Sequence, residues 1–324
     1  GAGLVVLTFL DALWTTLWVD GSAGPISARI TTWSWRGTLA LFGRRRHRVQ
    51  SLFGPFVLSL IVLLWVTMLW LGWTLIYGGE PLSLLHATTK TPADWSGRFY
   101  FVGYMLFTAG NGDYTPNGDV WQVLAALTNM TGMLLATLAI TYVLSVVSAV
   151  VQKRAFASQV SGLGQTAAKI VASGWNGQHL RSLDLPLSSL SSQLSQMSER
   201  YRAYPVLQYY HAAERQKSPI VAVTLLDDAL TLMKFGVPAE HQPSPAVLQS
   251  ARASVESFLD TLPSAFIHPA PEAPPDPDLA AVADVGIPTL PQEQFVEEVE
   301  ALSERRRRML GLLRNDGWNW DSPS

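Results

Sequence analysis

Two long runs of apolar residues dominate the first half of the chain. Residues 55–77 carry no charge, and a helix of about 23 residues rises about 34 Å, enough to cross the hydrocarbon core of a bilayer. The second run, residues 120–151, ends at the basic Lys153 and Arg154. We predict an outer helix over the first run and an inner helix over the second, whose greater length indicates strong tilt or an extension beyond the membrane.

The N-terminal run, residues 4–19, is apolar apart from Asp11 and several threonines. Its length is marginal for a membrane span, so it is either a third spanning helix, which we favour, or an interfacial helix. A carboxylate inside a span is costly unless it is paired. We therefore expect Asp11 to pair with a nearby Arg or hydroxyl group.

Basic residues predict the orientation of the spans. The run RRRHR at residues 44–48 precedes the outer helix, and Lys153 and Arg154 follow the inner helix. By the positive-inside bias, both of these ends face the cytoplasm. The pattern predicts a multi-pass protein of the plasma membrane, or of the inner membrane in a bacterium, with its C-terminal half in the cytoplasm.

A short amphipathic segment lies between the two spans. Residues 94–107 begin with the helix-start signals Pro92 and Asp94, and apolar residues then recur at helical spacing. The predicted helix is too short to cross the membrane, and a glycine-containing segment follows it. A short helix and an irregular segment between two spans are typical of a re-entrant pore loop.

The C-terminal half is polar and rich in proline. Helical periodicity covers residues 165–173, 187–214, 220–235, 245–262 and 293–314, and we predict no strands. Eight prolines in residues 263–291 favour an extended linker, which leaves the last helix as a separately tethered element. Trp318 and Trp320 at the tail are expected to dock on another surface.

Composition excludes several classes of function. The net charge of −2 gives no nucleic-acid signature, and the absence of Cys excludes disulfides and thiolate metal sites. The six His show no metal-ligand spacing. Asp227 and Asp228 lie in a helical stretch, where paired acids are more often solvated or capping than catalytic. We expect no enzyme activity and no cofactor beyond a permeant monovalent cation.

The segment after the short helix reads TAGNGD, residues 108–113. Conduction of a dehydrated cation requires stacked rings of oxygen atoms that replace its water, and backbone carbonyls supply them where alternate residues let all carbonyls face one axis. Gly110 and Gly112 allow such a backbone, Thr108 adds a hydroxyl, and Asn111 tolerates left-handed geometry. These residue types predict a selectivity filter.

This segment resembles the filter of the potassium channel superfamily, in its type with two transmembrane helices and a pore loop. The pattern Thr, any residue, Gly, Tyr, Gly, Asp, two residues, Pro is matched at five of its six specified positions. The resemblance implies a homotetramer in the lipid bilayer, conducting potassium most readily. It implies these roles: ion coordination by Thr108, Ala109, Gly110 and Asn111, a brace to the pore helix from Asp113, aromatic packing by Tyr100, Phe101 and Tyr104, and a hinge at Gly132.

Asn111 departs from the pattern, because the superfamily usually has Tyr or Phe there. We expect the loss of the large ring to weaken discrimination between potassium and sodium.

Below the filter, one face of the inner helix follows helical spacing and is assigned to the pore and its gate: Met133, Ala136, Ile140, Leu144 and Val147. The alternative is that this face packs against the outer helix.

The last predicted helix carries an Arg run, Arg305 to Arg308, after several Glu. We interpret it as a solvated or subunit-bridging helix, and the alternative is contact with anionic lipid headgroups.

The predicted fold is an all-α membrane protein with a pore-loop channel domain. Its parts are an N-terminal membrane or interfacial helix (1–20), a basic cytoplasmic link (21–54), the pore domain (55–154), a helical cytoplasmic domain (155–262), a Pro-rich linker (263–291) and a C-terminal helix and tail (292–324).

Three functions remain open from the sequence. The first is a tetrameric, potassium-channel-like cation channel. The second is a non-selective monovalent cation channel, and the third is a non-conducting, membrane-anchored sensor or scaffold.

Overall fold

The computed structural model describes residues 1–18, 23–42, 47–261 and 268–320, without the side chains of residues 35–42 and 47–51. The chain divides into two compact units. Residues 1–38, 55–147 and 203–206 form the first, which we call the membrane unit. Residues 39–54, 148–202 and 207–324 form the second, the C-terminal unit.

The membrane unit begins with α1, Ala2–Leu17, and α2, Pro25–Phe42, which is followed by α3, His47–Gly78. Within α3, the segment Leu52–Gly78 is long and apolar enough to cross a membrane. Helix α3 begins eight residues before Pro55, and α2 lies inside the predicted basic link, for which no helix was predicted. The basic residues 44–46 and the side chains of His47 and Arg48 lie outside the described part of the chain.

Asp11 joins the first three helices. Its side chain is fully buried. One carboxylate oxygen accepts the N–H groups of Ile26 at 2.8 Å and Ser27 at 3.2 Å, and the other accepts the Ser27 hydroxyl at 2.5 Å and the Trp65 indole N–H at 2.8 Å. The partial positive charge at the start of α2 stabilises this carboxylate. A hydroxyl partner was expected; the amides of a helix start and an indole were not.

The segment between the spans contains a small two-stranded antiparallel sheet that the sequence did not predict. We call this strand pair the hairpin, although a short helix lies between its two strands. Strand β1, Leu84–His86, pairs antiparallel with β2, Tyr114–Pro116, so that Leu84 lies opposite Pro116 and His86 opposite Tyr114. Between the strands lies α4, Trp95–Leu106. Asp94 caps α4 by accepting the Gly97 N–H at 2.7 Å, so the predicted short helix and its start signal are confirmed.

The inner helix, α5, runs without interruption from Asp119–Leu163, twelve residues beyond the predicted end at Val151. It too meets the length and hydropathy of a membrane span. Aromatic side chains of α3 hold its first half. The Trp73 indole N–H donates to the Thr131 hydroxyl at 2.9 Å, and the Tyr77 and Thr128 hydroxyls lie 3.2 Å apart.

The end of α5 lies in the C-terminal unit. The Lys153 ammonium is buried and donates to the backbone carbonyls of Leu207 at 3.1 Å and Tyr210 at 2.5 Å. Of the two cations predicted to flank the membrane, only Arg154 is exposed. Lys153 therefore holds the chain after residue 206 and does not reach lipid headgroups.

The C-terminal unit is built from helices: α6 Ala167–Ser173, α7 Asp184–Ala203, α8 Pro219–Thr231, α9 Pro245–Thr261, α10 Ala280–Ala283, α11 Gln292–Ala301 and α12 Ser303–Asn315. Helix α8 is buried at nearly every position and forms the centre of the core. The predicted helix over 187–214 ends at Ala203, before Pro205, because proline disfavours helical backbone at the residue before it.

Solvation, which was expected for the Arg run and for the acids of α8, is wrong for Arg305, Arg306, Asp227 and Asp228. Arg306 is 1% exposed and pairs with Asp228 of α8 at 2.5 Å, while Arg305 pairs with Asp227 at 2.5 Å. Arg308 pairs with Asp260 at 2.9 Å. Arg305 and Arg306 are therefore ion-pair partners of the two buried aspartates and do not form a solvated face, whereas Arg307 is exposed.

The described part of the proline-rich segment, residues 268–291, packs on the unit and is not a loose linker. Ala270, Leu279, Val282 and Ile287 are buried, and the Leu290 N–H donates to the Gly236 carbonyl at 2.8 Å. The tail after α12 also docks: the Arg215 guanidinium donates to the Asn319 carbonyl at 2.9 Å, and the Trp320 ring faces the Arg306 guanidinium at 5.5 Å. The last helix is thus part of the core.

Candidate functional site

The short helix α4 is fixed to α3 along its length. The Trp70 indole N–H donates to the Phe99 carbonyl at 2.8 Å, and the two rings stack at 4.6 Å. At its other side, the buried Arg98 guanidinium donates to the Pro81 carbonyl at 3.0 Å. The C-terminal end of α4, which carries the partial negative charge of the helix dipole, is therefore held in one place.

The segment 108–113 leaves α4 with alternating backbone geometry. Thr108, Gly110 and Gly112 have positive φ angles of 57°, 60° and 82°, whereas Ala109 and Asn111 do not. Alternation between right-handed and left-handed residues brings successive carbonyls to the same side of the strand. Left-handed geometry is costly for a β-branched residue such as Thr108, and strain of this kind concentrates at functional sites.

These filter residues are open on one side. Residues 108–113 are exposed in the single chain, and a Cβ built at Gly110 or Gly112 meets no atom within 4 Å. The backbone at Gly110 and Gly112 is thus not covered by other parts of the same chain.

A hydrogen-bonded relay lies behind the filter. The Asn111 side-chain amide donates to the Tyr100 hydroxyl at 2.6 Å, and that hydroxyl donates to the Asp113 carboxylate at 2.8 Å. Tyr100 comes from α4, so the relay ties both polar filter side chains to the short helix. The superfamily usually has a large ring at the position of Asn111, whereas here the ring that contacts this position, that of Tyr100, belongs to α4.

The other two predicted support residues also lie at this wall. The Tyr104 hydroxyl donates to the Tyr114 carbonyl at 2.9 Å, and the Tyr104 carbonyl accepts the Ala109 N–H at 2.8 Å. Phe101 is buried and contacts the rings of Tyr104 and Tyr77, each at 5.2 Å. Tyr104 therefore holds both ends of the segment, and Phe101 joins α4 to α3.

The hairpin holds the far end of the segment. The Ala87 N–H donates to the Asp113 carbonyl at 2.8 Å, immediately after the strand residue His86. Sequence reasoning missed this contact, because three-residue strands are too short to show alternation. The signal that was available is the pair of turn-forming stretches around residues 87–92 and 116–118.

Gly132 lies where α5 passes the end of α4. A Cβ at this position would stand 2.3 Å from the Leu106 carbonyl oxygen, which is backbone and cannot rotate away. The helix is continuous through Gly132. Close approach of the two backbones therefore explains this glycine without a hinge.

The residues assigned to the gate share one exposed face of α5. Met133, Ile140 and Leu144 are 58%, 61% and 64% exposed in the single chain, and Ala136 is exposed as well. They do not pack against the outer helix, which was the alternative. Their neighbours Leu135, Ala139 and Tyr142 are the buried ones.

Comparison with known proteins agrees with this geometry. A family described as ion channel matches residues 58–149, which include both long helices, α4 and the filter segment. The chain is 41% identical to the uncharacterized membrane protein YdjJ of Bacillus subtilis (strain 168) over 321 residues, which cover 98% of this chain and 94% of that protein. No solved structure matches the chain.

Proposed function

Because this chain belongs to the same protein family as YdjJ and its residues 58–149 match the ion channel family, we propose that four copies form a potassium-channel-like channel for monovalent cations. Ions pass along the filter of residues 108–113. The protein resides in the plasma membrane, and its C-terminal unit lies on the cytoplasmic side, as the basic run at residues 44–48 and the exposed Arg154 favour.

The alternating left-handed geometry of Thr108, Gly110 and Gly112 is the observation that carries this proposal. Alternation of this kind turns successive backbone carbonyls toward one side, which is the arrangement that cation filters require. An ordinary extracellular turn has no need for a strained threonine or for three separate braces behind it.

Oligomerisation follows from what one chain leaves exposed. A single chain offers only one wall of a pore, and cation filters are closed by oxygen rings from several subunits. The exposed filter segment and the exposed apolar face of α5, with Met133, Ile140 and Leu144, support assembly around a central axis. Four copies are proposed from the resemblance to potassium channels.

Potassium is the favoured ion, since the backbone part of the filter follows the potassium-channel pattern. A non-selective channel for monovalent cations is the second candidate, and the exposed Asn111 favours it, because a short side chain leaves more room beside the outer carbonyls. The Tyr100 relay limits that room by holding Asn111 to the short helix.

Reconstitution tests the proposal. The purified full chain in liposomes should release a trapped potassium gradient, and Gly110→Ala should abolish the flux, because its left-handed backbone does not suit Ala. Gly118→Ala is the matched control: it has a similar positive φ of 91° outside the filter. Equal flux through the wild type and an assembled Gly110→Ala variant would contradict conduction through this segment.

A further inference from the structure

A histidine-centred turn lies beside the outer end of the filter. The backbone N–H groups of Thr88 and Thr89 both donate to His86 Nδ1, at 3.2 and 3.3 Å. An imidazole nitrogen accepts hydrogen bonds only through a lone pair, so Nδ1 is unprotonated in this arrangement and the ring proton is on Nε2. A second proton on Nδ1 would face two N–H groups and disrupt the turn.

The same turn holds the filter backbone. The His86 N–H donates to the Thr91 carbonyl at 2.9 Å, and the next amide, that of Ala87, donates to the Asp113 carbonyl at 2.8 Å. The His86 ring also meets the Tyr114 ring edge-on at 5.4 Å. A change in the turn is therefore passed directly to residues 113 and 114.

His86 shares an open cavity of about 350 Å³ with two carboxylates. The titratable groups that line it with His86 are Asp94 and Tyr100 from α4, Asp113 from the end of the filter and Tyr114 from β2. Within the turn itself, Lys90 donates its backbone N–H to the His86 carbonyl. An imidazolium formed at His86 is attracted to this side, because both acids carry negative charge when ionised.

We propose that His86 is a proton-binding site that controls the filter: the protonated ring leaves the turn and competes with Tyr100 for the Asp113 carboxylate. This proposal rests on the channel function proposed above. The Tyr100 hydroxyl then loses its acceptor and its hold on Asn111 weakens, while Asp113 loses the backbone contact to Ala87. Acid on the side of the hairpin, which is the extracellular side in the proposed orientation, lowers conduction.

Two substitutions separate the two roles of His86, acceptance of the turn hydrogen bonds and binding of a proton. His86→Asn places an amide oxygen near the position of Nδ1, so it keeps an acceptor for the turn and removes the titration. His86→Phe keeps a ring against Tyr114 and removes the acceptor at every pH. His179→Asn, in the C-terminal unit, is the control for loss of a histidine elsewhere.

The test measures potassium current through the full chain in planar bilayers while the hairpin side is taken from about pH 8 to about pH 5. We expect the wild type and His179→Asn to lose current several-fold. His86→Asn should keep its current throughout, and His86→Phe should pass little current even at pH 8. The same acid response in His86→Asn as in the wild type, or a flat wild-type response, would overturn the proposal.

Hydrogen exchange provides a readout that does not need conduction. After correction for intrinsic rates, the amides of residues 87–89 should lose protection on acidification in the wild type and keep it in His86→Asn. Absence of current at pH 8 contradicts the channel function. Unchanged protection in the wild type contradicts the proton site, whether or not the protein conducts.

Discussion

The Asn111 side chain donates to the Tyr100 hydroxyl at 2.6 Å, so the residue that departs from the potassium-channel pattern is also the one joined to the pore helix. A tyrosine at position 111 could reach α4 with its own ring. In this chain, the shorter Asn111 reaches α4 through the Tyr100 hydroxyl, which also donates to Asp113 at 2.8 Å.

Tyr100→Phe tests this relay. The substitution removes one oxygen atom and with it both hydrogen bonds, and at about 1 kcal/mol each their loss corresponds to about a thirtyfold change in an equilibrium. We expect the permeability of sodium relative to potassium to rise by up to about thirtyfold, measured from reversal potentials in mixed salts. Tyr114→Phe makes the same chemical change in the neighbouring ring and should leave the ratio unchanged. Equal ratios in the wild type and Tyr100→Phe would show that the relay does not set selectivity.

Asn111→Tyr restores the residue that is usual in the superfamily. The larger ring should support the filter from behind and shift permeability toward potassium. We expect a more negative reversal potential than in the wild type when sodium replaces potassium outside. A conducting variant with an unchanged reversal potential would refute this expectation.

Gly132→Ala distinguishes close packing from a hinge. The added Cβ would lie 2.3 Å from the Leu106 carbonyl, so α4 or α5 must shift, and we expect a loss of thermal stability of several degrees and poor assembly. Gly162→Ala is the control within the same helix, because a Cβ there meets nothing within 4 Å, and it should be neutral or slightly stabilising. A stable, assembled Gly132→Ala channel with altered gating would instead support a hinge.

Asp11→Asn removes a buried charge that accepts from two helix amides, a hydroxyl and an indole. The Asn side chain brings an NH₂ group toward existing donors, and loss of such a charged acceptor costs on the order of 2–3 kcal/mol. We expect a lower melting temperature in detergent. Asp119→Asn, an exposed acid at the start of α5, should change it little. Similar melting of the two variants would mean that Asp11 does not hold the N-terminal helices.

Asp228 makes the stability of the C-terminal unit depend on pH. Burial raises its pKa to about 7, while Arg306 opposes the shift and Asp227 and Asp276 add to it. Since the folded state binds a proton that the unfolded state releases near pH 4, its contribution is complete below about pH 4 and is lost as pH rises through about 7. The melting temperature of the wild type relative to Asp228→Asn should therefore fall from pH 5 to pH 8. A constant difference would contradict this linkage.

The sequence predicted those elements that depend on local composition and on the spacing of apolar residues. The two long helices follow from uncharged runs, and the short helix follows from its start signal at Asp94 and its apolar spacing. The filter segment was visible because glycine and threonine at alternate positions have a specific backbone use. Its positive φ angles at residues 108, 110 and 112 agree with that interpretation.

Partners that are distant in sequence were not predictable in the same way. Nothing near Asp228 in the sequence indicates that Arg306, 78 positions later, is its ion-pair partner. The acids were therefore interpreted as solvated or capping, and the arginines as part of a solvated or subunit-bridging helix. The proline-rich segment was interpreted from composition, whereas burial of Leu279 and Val282 against the unit decides its structure. The Asn111 to Tyr100 bond required the position of the pore helix relative to the filter, which spacing alone does not give.

The reversal potential of the full chain in a planar bilayer under a potassium chloride gradient is the most direct test of cation conduction through residues 108–113. We predict currents that reverse close to the potassium equilibrium potential and that vanish in an assembled Gly110→Ala variant but persist in Gly118→Ala. Reversal at the chloride potential, or currents of equal size in the wild type and Gly110→Ala, would contradict a cation pore built on this segment.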